Sequence, residues 1–329
     1  MTAFSNRWPD FRAYIIDITK EIWEERGIRT LHHYYAPDIP VRSPMGVSRG
    51  NQAVIAATMA TCHEFPDRQL FAEDVIYSED QIHGFLSSHR IISTATHRAD
   101  GAFGPATGKQ YQIRIIADCA AKGDTIYDEW LVRDYGGIVR QLGMVPENYA
   151  RMLICREGGP EQASRPLTPD ANPPDIYKGS GNTNEWGERY ASMLKRIMAA
   201  DFNHIQSHYD RAVIGEYAGA RQALGRDAVC AFWLGLRSAF PSSIFTIHHQ
   251  IGMDGGMLSP RAALRWSLTG VHEGWGAFGR PTGAPVHVMG MSHAEFGPFG
   301  PDCIGLRREF TLYDEVAIWK QILLHTGDL

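Results

Sequence analysis

The clearest chemistry-bearing pattern in the chain is a carboxylate that recurs. Asp134 closes the segment Asp128-Glu129-Trp130-Leu131-Val132-Arg133-Asp134, and Asp314 closes the matching segment that contains Glu309 and Phe310. On a strand, side chains alternate, so Asp128, Trp130, Val132 and Asp134 share one face. If Trp130 points into an apolar pocket, Asp134 does too. A carboxylate held there has a raised pKa and can take or give a proton near neutral pH. The plainer reading is a strand-end aspartate that caps a turn or pairs with Arg133 or Arg140.

Two histidines stand beside glycine-rich loops. His97 precedes Gly101 to Gly108, and His272 precedes Gly276 to Gly283. Each is expected either to donate into a pocket or to tether its loop. Tyr34 and Tyr209 close the first long helix of each half and are placed to line a pocket mouth or to join the core. Sharper motifs are missing. Gln110 follows Lys109 where a phosphate-binding loop needs Ser or Thr. His63-Glu64 lacks the second histidine of a metalloprotease helix. His32-His33 and His248-His249 are neighbours in sequence and diverge on any element, so no metal site is expected.

The elements that must position these residues come from an internal repeat. Slid by 175 positions, the halves register without a gap from His33 to Gly108. Phe65-Pro66 falls on Phe240-Pro241, His97 on His272, and the Gly-Ala-Phe-Gly of Gly101 on that of Gly276. Beyond this the offset grows to 180, because the second half carries a longer hairpin around Phe296 to Cys303. There Glu129 meets Glu309, Trp130 meets Phe310, Asp134 meets Asp314 and Gln141 meets Gln321. The expected division is residues 1–155, a linker over 156–184 rich in Pro, Gly, Ser and Asn, and residues 185–329. The linker is expected to drape over the surface, with order around Ile176-Tyr177.

Within each unit helices come first. Asp10 to Arg26 carries apolar residues at helical spacing, and Met193 to Tyr209 is its mate. Second helices are expected over Gln52 to His63 and Asp227 to Ala239, each ended by Phe-Pro. Alternating strands follow over residues 69–78, 85–97, 110–120 and 124–135. Helices followed by consecutive strands predict an α+β unit, with helices on one face of a curved sheet.

Composition narrows the function classes. The 329 residues are 44% hydrophobic, as in a globular chain. A net charge of −5 gives no basic field for nucleic acid or anionic lipid. The longest apolar stretch, Ala53 to Cys62, is half of what a membrane span needs, and the N-terminus lacks a signal-peptide pattern. Five cysteines without a C-x-x-C pair point to reduced thiols and a cytoplasmic setting.

Together, Phe65-Pro66-Asp67, Thr96-His97, Gly101-x-Phe103-Gly104-x-x-Thr107-Gly108-Lys109, Glu129-Trp130-x-x-x-Asp134 and Gln141-Leu142-Gly143 resemble the SnoaL-like polyketide cyclases of the NTF2-like superfamily. The second unit keeps Phe240-Pro241, His272, Phe278-Gly279 and Asp314, and has Phe310 for the tryptophan. The resemblance implies two cone-shaped α+β barrels, each enclosing an apolar pocket. It implies pairing through the sheets, made within the chain as a pseudo-dimer or between two copies as a homodimer.

It further implies that Asp134 and Asp314 are general acid/bases of an aldol-type ring closure on a hydrophobic, carbonyl-bearing small molecule. No metal or organic cofactor is expected. Trp130, Phe310, Tyr34, Tyr209, His97 and His272 would contact the substrate. The family also uses a histidine on the preceding inner strand, where the offset of 175 sets Asp118 opposite His293. The second unit would then hold a His293–Asp314 pair and the first an Asp118–Asp134 pair, whose repulsion would raise one pKa. Cyclase, isomerase and lyase chemistry all fit this scaffold. The alternative is a non-catalytic small-molecule-binding or assembly module.

Overall fold

The computed structural model describes residues 7–297 and 304–329. The first unit opens with helix α1 (Phe11–Thr19), capped by Asp10, whose side chain accepts from the Ala13 N–H at 2.8 Å. One stripe of α1 buries Phe11, Tyr14, Ile15 and Ile18. A π-turn carries it on to Glu24, and the left-handed Arg26 (φ 63°) ends it. Then come α2 (Leu31–Tyr34), β1 (Pro40–Ser43), β2 (Gly46–Arg49), α3 (Asn51–Glu64), β3 (Gln69–Asp80), β4 (Gly84–Thr96), β5 (Gln110–Lys122), β6 (Thr125–Arg133), α4 (Tyr135–Gln141) and α5 (Pro146–Arg156).

The second unit repeats this order as far as α4, with α6 (Glu185–Met198), α7 (Asn203–His208), β7 (Tyr209–Tyr217), β8 (Arg221–Leu224), α8 (Gly225–Ala239), β9 (Ile244–Gly255), β10 (Leu258–Val271), β11 (Pro285–Gly297), β12 (Gly305–Tyr313) and α9 (Glu315–Thr326). The single helix expected over Met193 to Tyr209 is in fact two, because Ala200 takes a left-handed φ of 65°. Tyr209 is thereby the first residue of a strand.

Each unit has one six-stranded sheet, in the orders β2-β1-β6-β5-β4-β3 and β8-β7-β12-β11-β10-β9. Neighbours are antiparallel except β1 with β6 and β7 with β12, so both sheets are mixed. The four-residue strands β1, β2 and β8 left no periodic signal, and the nine-residue β7 was not expected from sequence. The 175 offset holds through the inner strands: Ser88 pairs with Asp118, as Ala263 pairs with His293.

Helices cover one face of each sheet. The other two faces pack on each other, burying Ile116, Trp130, Val132, Met289, Met291 and Leu312 in one shared cluster. The chain thus forms a pseudo-dimer within itself. Between Arg156 and Glu185 the connection runs largely exposed and is anchored around Ile176-Tyr177. Tyr177 is buried, and the backbone N–H groups of Ile176 and Tyr177 donate to Asp128 Oδ2 at 2.7 and 2.9 Å.

Candidate active site

The cone interiors are lined by the strand faces that look toward the helices. On β6 that face carries Glu129, Leu131 and Arg133, while Trp130, Val132 and Asp134 look toward the other unit. Sequence alternation identified the two sets but not which was inside. Both faces of this strand are buried, so neither set is marked as polar and outward.

The residues singled out from sequence therefore gather mostly between the units. Trp130 lies 3.6 Å from the Arg265 guanidinium, and Phe310 lies 3.4 Å from that of Arg90. Arg265 donates to Asp118 at 3.1 Å; Arg90 meets His293 Nδ1 at 3.2 Å, and Ser88 Oγ meets its Nε2 at 2.9 Å. Burial raises the Asp118 carboxyl and lowers the His293 imidazole.

Asp134 caps α4 by accepting from the Gly137 N–H at 2.9 Å, and crosses to the second unit by accepting from Gly219 and Ala220, both at 2.8 Å. Burial pushes it up to about 6 against these three donors. Asp314 caps α9 through Val316 at 2.9 Å, its Oδ2 is unpartnered, and burial pushes it up to about 8. No His293–Asp314 or Asp118–Asp134 hydrogen bond or ion pair forms. Asp134 does border a cavity of ≈ 100 Å³, but this lies between the units, beside Arg114, Glu216 and Tyr217.

His97 and His272 serve their loops. Their Nδ1 atoms meet Thr107 at 3.2 Å and Thr282 at 3.0 Å, and their backbone N–H and C=O groups pair with the loop ends. Tyr34 packs under α1, where its hydroxyl donates to Glu21 at 2.9 Å.

The first cone holds a cavity that none of these residues lines. Its inner chamber, ≈ 60 Å³, is walled mostly by apolar side chains of α1 and the sheet, with Thr19, His89, Glu129, Arg68, Arg133 and Tyr35 among the polar groups. An outer chamber of ≈ 160 Å³ shares Trp23, Tyr35, Arg68, Glu129, Leu131 and Arg133, and runs out past Ser43 and Thr58. Glu129 is buried, hydrogen-bonded to Tyr35, and has Oε2 without a partner. Burial pushes its pKa up to about 7, against the opposing pull of the Tyr35 hydroxyl. Burial also lowers His89 to about 4, so its imidazole is neutral at physiological pH.

The second cone has the same carboxylate and fills the space around it. Glu309 accepts from Tyr190 at 3.0 Å, Tyr209 at 2.8 Å, Tyr217 at 2.6 Å and Trp233 at 3.0 Å. Trp233 stands 175 positions after Thr58, so an indole occupies what the first unit leaves to a hydroxyl. Trp266 replaces Ile91 and lies flat against Gly290, where a Cβ would come within 2.2 Å of its ring. The sheet register also matches Tyr209 with Tyr35, not Tyr34: Tyr209 pairs with Leu306, and Tyr35 bridges Ile126. Sequence reasoning set Glu129 opposite Glu309 and gave neither a role. The signal available was that this carboxylate recurs inside an apolar segment.

Among the described residues no group of three or more His, Cys, Asp or Glu side chains is arranged to hold a metal, and no helix is long and apolar enough to cross a membrane.

The paired cones agree with the family comparisons. The SnoaL-like polyketide cyclase family matches residues 13–142, and the SnoaL-like domain family matches residues 189–297. The chain belongs to the SnoaL-like group of NTF2-like proteins, as two such domains in tandem. Similar solved structures include TsrD from Streptomyces laurentii, 20% identical, covering 41% of this chain and 98% of its own at a TM-score of 0.36. A protein from Acidithiobacillus ferrooxidans assigned as a polyketide cyclase is 22% identical, covering 39% and 91% at 0.35. IdmH from Streptomyces antibioticus, also assigned as a polyketide cyclase, is 20% identical, covering 39% and 98% at 0.34. No curated protein matches the chain.

Proposed function

We propose that the first unit is the active one, and that it performs cyclase-type acid–base chemistry on an apolar, carbonyl-bearing small molecule with Glu129 as the proton-transfer group. The observation that carries this reading is the contrast between two equivalent carboxylates. Glu309 has four donors and packed aromatic neighbours, whereas Glu129 keeps one oxygen free on the wall of a cavity. A carboxyl that titrates near pH 7 is poised to act as base and then as acid.

The step would run as follows in atoms. Glu129 carboxylate takes a proton from the carbon next to the substrate carbonyl, leaving an enolate. In a ring closure that carbon bonds to a second carbonyl carbon, and the Glu129 carboxylic acid returns its proton to the new alkoxide. His89 is neutral and takes part as a hydrogen-bonding group rather than a second charge. The apolar walls keep water from the enolate and hold the reacting carbon near Glu129. Cyclisation, enolate-type isomerisation and eliminative lyase cleavage share this first proton removal.

The test reads that removal. 2-Tetralone in D2O is followed by proton NMR for exchange of its α-hydrogens. The wild-type chain is expected to accelerate exchange over buffer, and Glu129→Gln to abolish the acceleration while 2-tetralone still binds. Exchange that survives Glu129→Gln, or bound 2-tetralone without acceleration, would overturn the assignment.

A further inference from the structure

Two arginines line both chambers of the first cone, and their setting differs from that of the chain's other buried arginines. Arg42, Arg90, Arg261 and Arg265, and the part-buried Arg114, each pair with a carboxylate. Arg68 and Arg133 pair with none among the described residues. Arg68 donates to Ser93 Oγ at 3.1 Å, and Arg133 to the Tyr135 hydroxyl at 3.1 Å, with its Nε left without a partner. They are close enough to feel each other. Burial foremost, and then the Arg133 charge, pull Arg68 down to about 10.

Arg68 is buried and Arg133 part-buried, and two such neighbouring guanidiniums without a counter-charge are costly. The same chain shows that the cost is not a requirement of the fold. At the equivalent positions the second unit has Ser243, 175 residues after Arg68, and Tyr313, 180 residues after Arg133. The unit whose carboxylate is ringed by four donors does without these cations, and the unit whose carboxylate faces a cavity has them. Glu129 does not neutralise them: its charge acts on Arg133 only from a distance, its Oε2 is unpartnered, and near pH 7 it is partly protonated.

We infer that Arg68 and Arg133 form an anion subsite, and that the substrate of the first cone is a carboxylic acid with an apolar body. The planar forks of two guanidiniums present parallel donors to the two oxygens of a carboxylate. Anchoring that carboxylate fixes which carbon of the body lies against Glu129. The inference rests on the cavity being the substrate site, as proposed above, and names the class of molecule that enters it.

Benzoate and its neutral analogue benzyl alcohol separate the two ideas. Their binding is measured by calorimetry at pH 7.5 on the full chain, in the wild type and in Arg68→Gln and Arg133→Gln, with folding checked by circular dichroism. Benzoate is expected to bind at least about tenfold more tightly than benzyl alcohol, as charge-assisted hydrogen bonds would give. Either substitution should erase that preference and leave benzyl alcohol unchanged. Equal binding of the two probes, or a benzoate preference that survives both substitutions, overturns the anion subsite while leaving the cavity reading intact. Binding of neither probe overturns both.

Discussion

Arg265 of the second unit lies face-on 3.6 Å from Trp130 of the first, and Arg90 repeats the contact in the opposite direction with Phe310 at 3.4 Å. Arg265 also neutralises Asp118, a carboxylate buried between the sheets. Replacing Arg265 by Met leaves that charge unpaired, so a loss of about 3–5 kcal/mol of stability is expected in urea unfolding. Adding Asp118→Asn to Arg265→Met should recover much of it. A double variant no more stable than the single one would mean that the cost lies in the lost stacking on Trp130.

Glu129 makes a pH-dependent prediction. Its carboxyl is raised from an ordinary 4.5 to about 7 in the folded chain. Between those values the native state holds a proton that the unfolded state has released. Stability from this group is complete below about pH 4.5 and is lost as pH rises through about 7. Relative to Glu129→Gln, the wild type should therefore lose roughly 3 kcal/mol across that window, measured as unfolding free energies at several pH values. Exchange of 2-tetralone should rise over the same range, because the ionised carboxylate is the base. Parallel stability curves for the two proteins would show that Glu129 titrates normally.

Thr58 and Trp233 occupy one position in the two repeats. Thr58→Trp should place an indole in the outer chamber of the first cone, as Trp233 fills the second. Expected are an intact fold by circular dichroism and a loss of 2-tetralone binding of at least about tenfold, in keeping with a steric block. Unchanged binding would put the entrance elsewhere.

Asp134 is open to a direct test of capping against proton transfer. Asp134→Asn presents an amide where Gly219 and Ala220 need an acceptor, and should cost about 1–3 kcal/mol. The expected readout is a lower midpoint of thermal unfolding with 2-tetralone exchange retained. Loss of exchange in a variant as stable as the wild type would give the proton transfer to Asp134 instead.

Much of the fold was legible because the repeat is written in residues that turns and loops require. The paired Phe-Pro steps stop α3 and α8, and the twin Gly-Ala-Phe-Gly loops fall between the same strands in both units. The site was less legible for a physical reason. Alternation gives the period of β6 but not its phase, and a strand packed between helices and a second sheet is apolar on both sides. Glu129 and Trp130 could therefore be exchanged between inside and outside without altering the pattern. The short strands β1, β2 and β8 were hidden because four residues carry too little periodicity. The pairing of Tyr209 with Tyr35 was masked by one extra residue in the turn between β7 and β8, which spans residues 218–220 where the first unit has 44–45 and so moves the offset from 174 to 175.

The anchored connection between Arg156 and Glu185 bears on what such a molecule can become. Two identical subunits related by a twofold axis must place the same residue at both ends of every contact. A single chain is free of that rule. It can set Asp118 under one arginine and His293 under the other, and keep Thr58 in one cone while Trp233 closes the other. Assembly is also insensitive to dilution, since each half is tethered to its partner at high effective concentration. Fusion thus allows a division of labour: one half can specialise as a rigid buttress while the other retains a void that, on its own, would weaken it.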